Sequence, residues 1–131
     1  MSIRTGFFDL LTETLGTDVS DRIHPMVLPQ GGCYPAVTYQ QVSGNSEQHL
    51  QGRSALRFAR FQVDIWSPRY LQALEVAHTL RVALDGYRGM AGTDYEITHG
   101  ELSLDRDTYE EGIEAFRFQQ DYELTYRRHI A

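Results

Sequence analysis

Lysine is absent from this chain. All twelve basic residues are arginine, eighteen residues are acidic, and the formal net charge is −6. An acidic chain gains no affinity for DNA or RNA from counterion release, which disfavours nucleic-acid binding as its main activity. Two explanations of the missing lysine stay open: genome base composition, or a preference for arginine in bidentate interface pairs.

Cysteine and long apolar runs are also scarce. Cys33 is the only cysteine, so an intrachain disulfide cannot form, which fits a reducing cytoplasm. No run of about 18 apolar residues occurs, and no membrane span is expected. The N-terminal segment carries Asp9 and Glu13 among its apolar residues, which indicates an amphipathic helix and not a signal peptide. The 131 residues suit one domain with one core, residues 1–131.

Recognisable catalytic and metal-binding patterns are missing as well. The five histidines have no helical i, i+4 pair, and no second cysteine joins Cys33. The carboxylates between Asp105 and Glu111 depart from the spacing of a calcium loop, so a solvated acidic turn is expected there. No nucleophile-elbow, P-loop or dinucleotide-binding pattern occurs. The sequence therefore predicts a protein that is not an enzyme and has no cofactor or metal.

Apolar periodicity and turn residues predict an α+β fold. We expect a mostly antiparallel sheet of about four strands, with two helices packed on one face. Ser67 and Pro68 have the residue types that begin a helix, and a change of phase around Gly100 predicts a β-bulge. The predicted elements are a helix over 2–15, an extended piece around 22–24, strands over 34–42, 53–66, 95–104 and 115–126, a helix ending at Gly86, and turns over 43–52 and 105–114.

The long strand and the helix after it each have one apolar face and one face that mixes polar with large apolar residues. Odd positions of the strand are apolar, whereas its even positions are mixed: Leu56, Phe58, Arg60, Gln62, Asp64 and Trp66. Either this mixed face is core beneath a helix, or it is a subunit interface, where tryptophan and arginine are enriched. The helix likewise has a buried stripe and an opposite mixed face with Leu71, His78 and Val82. Both elements are typical of a part that is assembled with others.

An ordered series of segments resembles one family. RIHP, YPAVTYQQVSG, HLQG, FQVDIWS and LRVALDGY follow one another between Arg22 and Tyr87, and FRFQQDYELTYR occurs near the end. This series resembles the tail completion, or tail terminator, proteins of long-tailed bacteriophages and of related prophage-derived gene-transfer particles. In that family the segment Phe61–Trp66 corresponds to the central strand of the sheet, and His49–Gly52 lies in a variable loop.

The resemblance implies a structural virion protein with a tail-tube-like fold. Such a protein is made in the bacterial cytoplasm and forms a ring, typically a hexamer, that caps the tail tube and joins it to the head connector. Its implied partners are further copies of itself, the tail-tube protein and the connector. DNA passes through without specific binding, and no membrane is involved. Two other functions stay open: another neck component such as a connector stopper, or a small ligand-binding domain with a pocket near Cys33 and Tyr34.

Two sets of residues are candidates for these contacts. Mixed faces and the polar loop supply the expected subunit or partner interface: His49, Leu50, Arg53, Phe58, Arg60, Trp66, Leu71, His78 and Val82. A channel for DNA needs a wall that does not grip phosphate, and negative charge provides this by repulsion. The expected lumen-facing acidic residues are Asp105, Asp107, Glu110, Glu111, Asp121 and Glu123.

Overall fold

A computed structural model describes residues 2–44 and 56–129. Within these residues the chain forms two helices and six strands: α1 (Ile3–Leu15), β1 (Ile23–Pro25), β2 (Ala36–Gly44), β3 (Arg57–Ser67), α2 (Tyr70–Leu84), β4 (Gly89–Ala91), β5 (Tyr95–Glu110) and β6 (Ala115–Arg128). The predicted interface residues His49, Leu50 and Arg53 lie outside the described residues.

The strands form one mixed sheet in the order β1-β2-β3-β6-β5-β4. β1 pairs in parallel with β2, and the other neighbours are antiparallel. The α+β class is confirmed, but the expected mostly antiparallel sheet of about four strands is not exact, because the described sheet has six strands and one parallel pair. β1 lies at the extended piece predicted around 22–24, whereas the three residues of β4 are too few for an alternating pattern to reveal a strand.

Both helices pack against the face formed by the odd positions of β3. Phe61, Val63 and Ile65 are fully buried there. Phe7 of α1 stacks on Phe61 with ring centroids 4.1 Å apart, and Leu80 of α2 belongs to the same core. Burial of such aromatic and aliphatic side chains is the main favourable contribution to folding. The predicted apolar face of the long strand is therefore confirmed as core.

The junction between β3 and α2 differs from the prediction. α2 begins at Tyr70 with Arg69 as its N-cap, and not at Ser67–Pro68. Ser67 still pairs with Phe116 in the ladder, so it is the last residue of β3. Its hydroxyl accepts a hydrogen bond from the Arg69 N–H at 3.0 Å and donates one to Gln72 Oε1 at 2.7 Å. The serine thus organises the turn before the helix.

β5 is longer than predicted and carries two irregularities. Its register against β6 shifts between Ile97 and His99, which confirms the change of phase expected near Gly100. A second shift lies between Leu102 and Leu104 and returns the odd positions to the helix side. β5 continues to Glu110, so the predicted acidic turn over 105–114 is wrong for most of its length. Asp105 and Asp107 pair with the fourteen-residue β6 and so remain in the strand, although aspartate has a low strand propensity.

Replacement of Phe61 by alanine should lower the free energy of unfolding by about 3–5 kcal/mol, because it empties a fully buried site against Phe7. Phe58, on the opposite face of the same strand, is 53% exposed and provides the matched control. Phe58→Ala should cost less than about 1 kcal/mol. Urea denaturation of both variants measures the difference, and equal losses would contradict the assignment of faces.

Candidate interaction surfaces

The face of the sheet that carries no helix is polar at its centre, yet closely packed. Asp64, Gln119 and Asp121 are only 7%, 8% and 6% exposed. Arg117 binds Asp64 with both Nε and Nη2, at 2.9 and 3.2 Å. Arg60 binds Oδ2 of Asp121 with Nε and Nη2, at 3.1 and 2.8 Å. The two arginines pair with the two carboxylates and offset charges that would otherwise be costly to bury, although Oδ1 of Asp121 has no hydrogen-bond partner.

Trp66 joins this network. Its indole N–H donates to the Thr38 hydroxyl at 3.0 Å, and the Arg117 guanidinium lies 5.4 Å from the centre of its ring. The hydrogen bond to Asp64 raises the pKa of Arg117 above its ordinary value. Of the three interface candidates on this face, Arg60 and Trp66 are therefore engaged within the chain. Phe58, the third candidate, is 53% exposed.

The acidic candidates do not form one cluster. The second register shift turns Asp105 and Asp107 toward the helix side of β5. Arg81 of α2 binds Asp105 at 3.1 Å, and the Tyr70 hydroxyl donates to Asp107 at 2.7 Å. The bond to Asp107 raises the pKa of Tyr70. These two carboxylates therefore fasten α2 to β5.

The four remaining acidic candidates lie in different settings. Asp121 was expected on an open face, but it is nearly buried because Arg60 lies over it. Glu110 has an oxygen 3.6 Å from Nη1 of Arg117, and Glu111 is exposed in the turn between β5 and β6. Glu123 is exposed on the helix-free face.

Glu101 was missed by the sequence prediction. It stands directly opposite Glu123 in the β5–β6 ladder, and both side chains are exposed. Arg60 is also opposite Glu123, but its guanidinium binds Asp121. Like charges directly across a ladder cost stability, and no ion pair among the described residues relieves this one. Only the register across the bulges brings the two glutamates together.

The outer side of α2 is an exposed apolar surface. Leu71 and Val82 are 69% and 68% exposed, and Leu74 is 40% exposed. A shallow groove of about 600 Å³ runs past Leu74, Glu75, His78 and Thr79. His78 is exposed and lies 2.8 Å from Nη2 of Arg81 through its Nδ1. The three helix candidates, Leu71, His78 and Val82, thus share one surface.

The described residues contain neither a cluster of metal ligands nor a ligand-sized pocket beside Cys33. In 2–44 and 56–129, no group of three or more His, Cys, Asp or Glu side chains is placed to hold a metal ion. The cleft beside Cys33 and Tyr34 has a volume of about 10 Å³, far below the size of a ligand pocket. The ligand-binding alternative thus loses its expected pocket. Neither described helix is long and apolar enough to cross a membrane.

Comparison with known families decides the class of protein. The family described as "Tail completion protein gp17" matches residues 10–127. This chain belongs to that family. It is accordingly a structural protein of a virion tail, in contact with other tail or head proteins of the particle.

One solved structure supports the fold independently of the family match. A chain from a structure titled "Virion of native gene transfer agent (GTA) particle" aligns with a TM-score of 0.62 at 13% identity, covering 86% of this chain and 84% of that one. At this identity the likeness concerns the fold alone. A second solved chain, 16% identical over 94% of this chain and 96% of its own, has a TM-score of 0.49, too low to support an argument. No curated protein matches the sequence.

A double-mutant cycle on Arg117 and Asp64 should reveal a coupling energy of about 1–2 kcal/mol, because Asp64 is shielded from water and the pair is bidentate. The pair Arg127–Glu96 is joined by a single Nε–Oε1 contact at 3.0 Å, and its side chains are 43% and 35% exposed. Its coupling should stay below about 0.5 kcal/mol. Denaturation of the single and double alanine variants measures both values, and equal coupling would contradict the shielded network.

Proposed function

We propose that this tail protein forms a ring, with six copies as expected for its family, that caps the tail tube and joins it to the head connector. The observation that carries the proposal is the family match over residues 10–127. The role is structural and not enzymatic. We further propose that residues 1–131 act as one domain, which is supported by a single core cluster drawing on both helices and the sheet.

The distribution of exposed apolar side chains supports assembly with neighbours. Leu71 and Val82 on α2 and Phe58 on the other side of the sheet are each more than half exposed. Aromatic and aliphatic side chains that pack between subunits are the usual anchors of interfaces. The chain therefore offers surfaces on two sides of its own core, as each subunit of a closed ring requires. His49, Leu50 and Arg53 stay in the proposed interface on sequence grounds.

We propose that part of the helix-free face lines the channel for DNA, with Glu101 and Glu123 as its acidic centre and Glu110 and Glu111 toward the hairpin end. Asp105, Asp107 and Asp121 are engaged within the fold and contribute less. The retained Glu101–Glu123 repulsion supports this assignment, since a wall for sliding DNA benefits from negative charge. Arg60 and Arg117 are paired with Asp121 and Asp64, which makes their guanidinium groups less available to bind phosphate.

Deletion of the gene tests the ring proposal. Electron microscopy should show filled heads and separate tails of uncontrolled length, and supply of the protein in trans should restore joined particles. Tails of normal length beside heads that have lost their DNA would instead indicate a connector stopper. Normal joined particles from the deletion strain would refute both functions.

Charge reversal tests the channel assignment. Particles with Glu101→Arg and Glu123→Arg should assemble but eject DNA more slowly, and added salt should relieve the delay because it screens phosphate contacts. Glu13→Arg with Asp18→Arg makes the same charge change at exposed positions in and just after α1 and serves as the matched control. Ejection rates that are the same for wild type and both variants would remove Glu101 and Glu123 from the channel.

A further inference from the structure

Most arginines on the helix-free face of the sheet are paired with carboxylates. The ion pairs are Arg60–Asp121, Arg117–Asp64 and Arg127–Glu96. Arg106 is the exception among the described arginines of this face. It stands opposite Gln119 in the β5–β6 ladder, and Gln119 stands opposite Asp64 in the β3–β6 ladder, so the three side chains lie on the same face.

A neutral amide holds the Arg106 side chain in place. Its Nε and Nη2 donate to Oε1 of Gln119 at 3.2 and 3.0 Å, and Gln119 is nearly buried. These bonds orient the guanidinium without cancelling its charge, since a glutamine amide carries none. Among the described residues no carboxylate forms an ion pair with Arg106. Arg106 is therefore an oriented cation whose charge is not compensated within the fold.

The carboxylates beside Arg106 in the ladder are already engaged. Asp105 and Asp107 project to the helix side, where they bind side chains of α2. Asp121 lies diagonally across the ladder from Arg106, but its Oδ2 accepts a hydrogen bond from Arg60 at 2.8 Å. The positive charge of Arg106 is thus available to a group from outside the chain.

A phosphate group suits this arrangement. The planar guanidinium of arginine matches the oxygens of a phosphate and retains its charge at all ordinary pH values. The Arg106 side chain is exposed. β4 pairs with β5 only over Tyr95–Ile97, so no described strand lies beside Arg106 at this edge of the sheet. If DNA passes along the helix-free face, its phosphates bring the complementary charge to this side chain.

We propose that Arg106 contacts a phosphate of the DNA in the channel. Its ladder partner Gln119 precedes Glu123 by four residues of β6, about 13 Å along the strand. The channel wall then repels DNA at Glu101 and Glu123 and attracts it at Arg106, so that each subunit slows the movement of DNA at one point. This inference rests on the proposed channel and adds the residue that holds the DNA there.

Removal of the charge at position 106 tests the contact in assembled particles. Arg106→Gln should raise the rate of DNA ejection at least about threefold at low salt, and added salt should shrink the difference because it screens phosphate contacts. Arg106→Lys keeps the charge but loses the paired bonds to Gln119, so its ejection rate should stay near that of wild type. Arg4→Gln removes the same charge at an exposed position of α1 and serves as the matched control.

The outcomes separate a phosphate contact from a structural role and from the channel itself. Equal ejection rates for Arg106→Lys and Arg106→Gln would assign the effect to the bonds with Gln119 and overturn the proposal. A rate for Arg106→Gln that matches wild type or Arg4→Gln would also overturn it. Failure of Arg106→Gln subunits to join heads to tails would place the charge in a protein contact, with the same consequence.

The double variant Glu101→Arg, Glu123→Arg reports on the channel in the same assay. Slower ejection by this variant leaves the channel standing even where Arg106→Gln has no effect. Unchanged ejection by both variants removes the channel assignment together with the phosphate contact.

Discussion

The antiparallel register between β3 and β6 is the constraint on which the rest of the structure depends. It sets Ile65 opposite Phe118, and Asp64 opposite Gln119 one residue away. The first pair lies beneath the helices, and the second lies on the helix-free face. A slip by one residue would exchange the two faces, placing Asp64 in the apolar core and Phe61 among the arginines. The bidentate bonds of Arg117 to Asp64 oppose such a slip.

This register also determines which side chains form the core and which lie on the helix-free face. The helix side holds the apolar core, closed by the stack of Phe7 on Phe61. The helix-free face is held by ion pairs of low exposure, which favour a defined arrangement more than they add stability. Some apolar side chains belong neither to the core nor to the ion-pair network and remain exposed, notably Leu71 and Val82. They are the natural candidates for contacts within a virion tail.

The sequence predicted the features that repeat along the chain and missed those set by pairing. Alternation along β3 identified its buried face, and the change of phase near Gly100 revealed the first bulge. The second bulge, near Ser103, has no local signal, so the acidic residues after it were assigned to an open turn. Asp121 alternates like a solvent residue and is buried only because Arg60, far away in sequence, lies over it. Glu101 becomes a candidate for the acidic surface only because the register places it opposite Glu123.

The most direct measurement is a cryo-electron microscopy reconstruction of the junction between head and tail of the intact particle. The account predicts a closed ring of copies of this chain between the last ring of the tail tube and the connector, with the helix-free face toward the channel. A single copy, or a position elsewhere on the particle, would contradict the central claim.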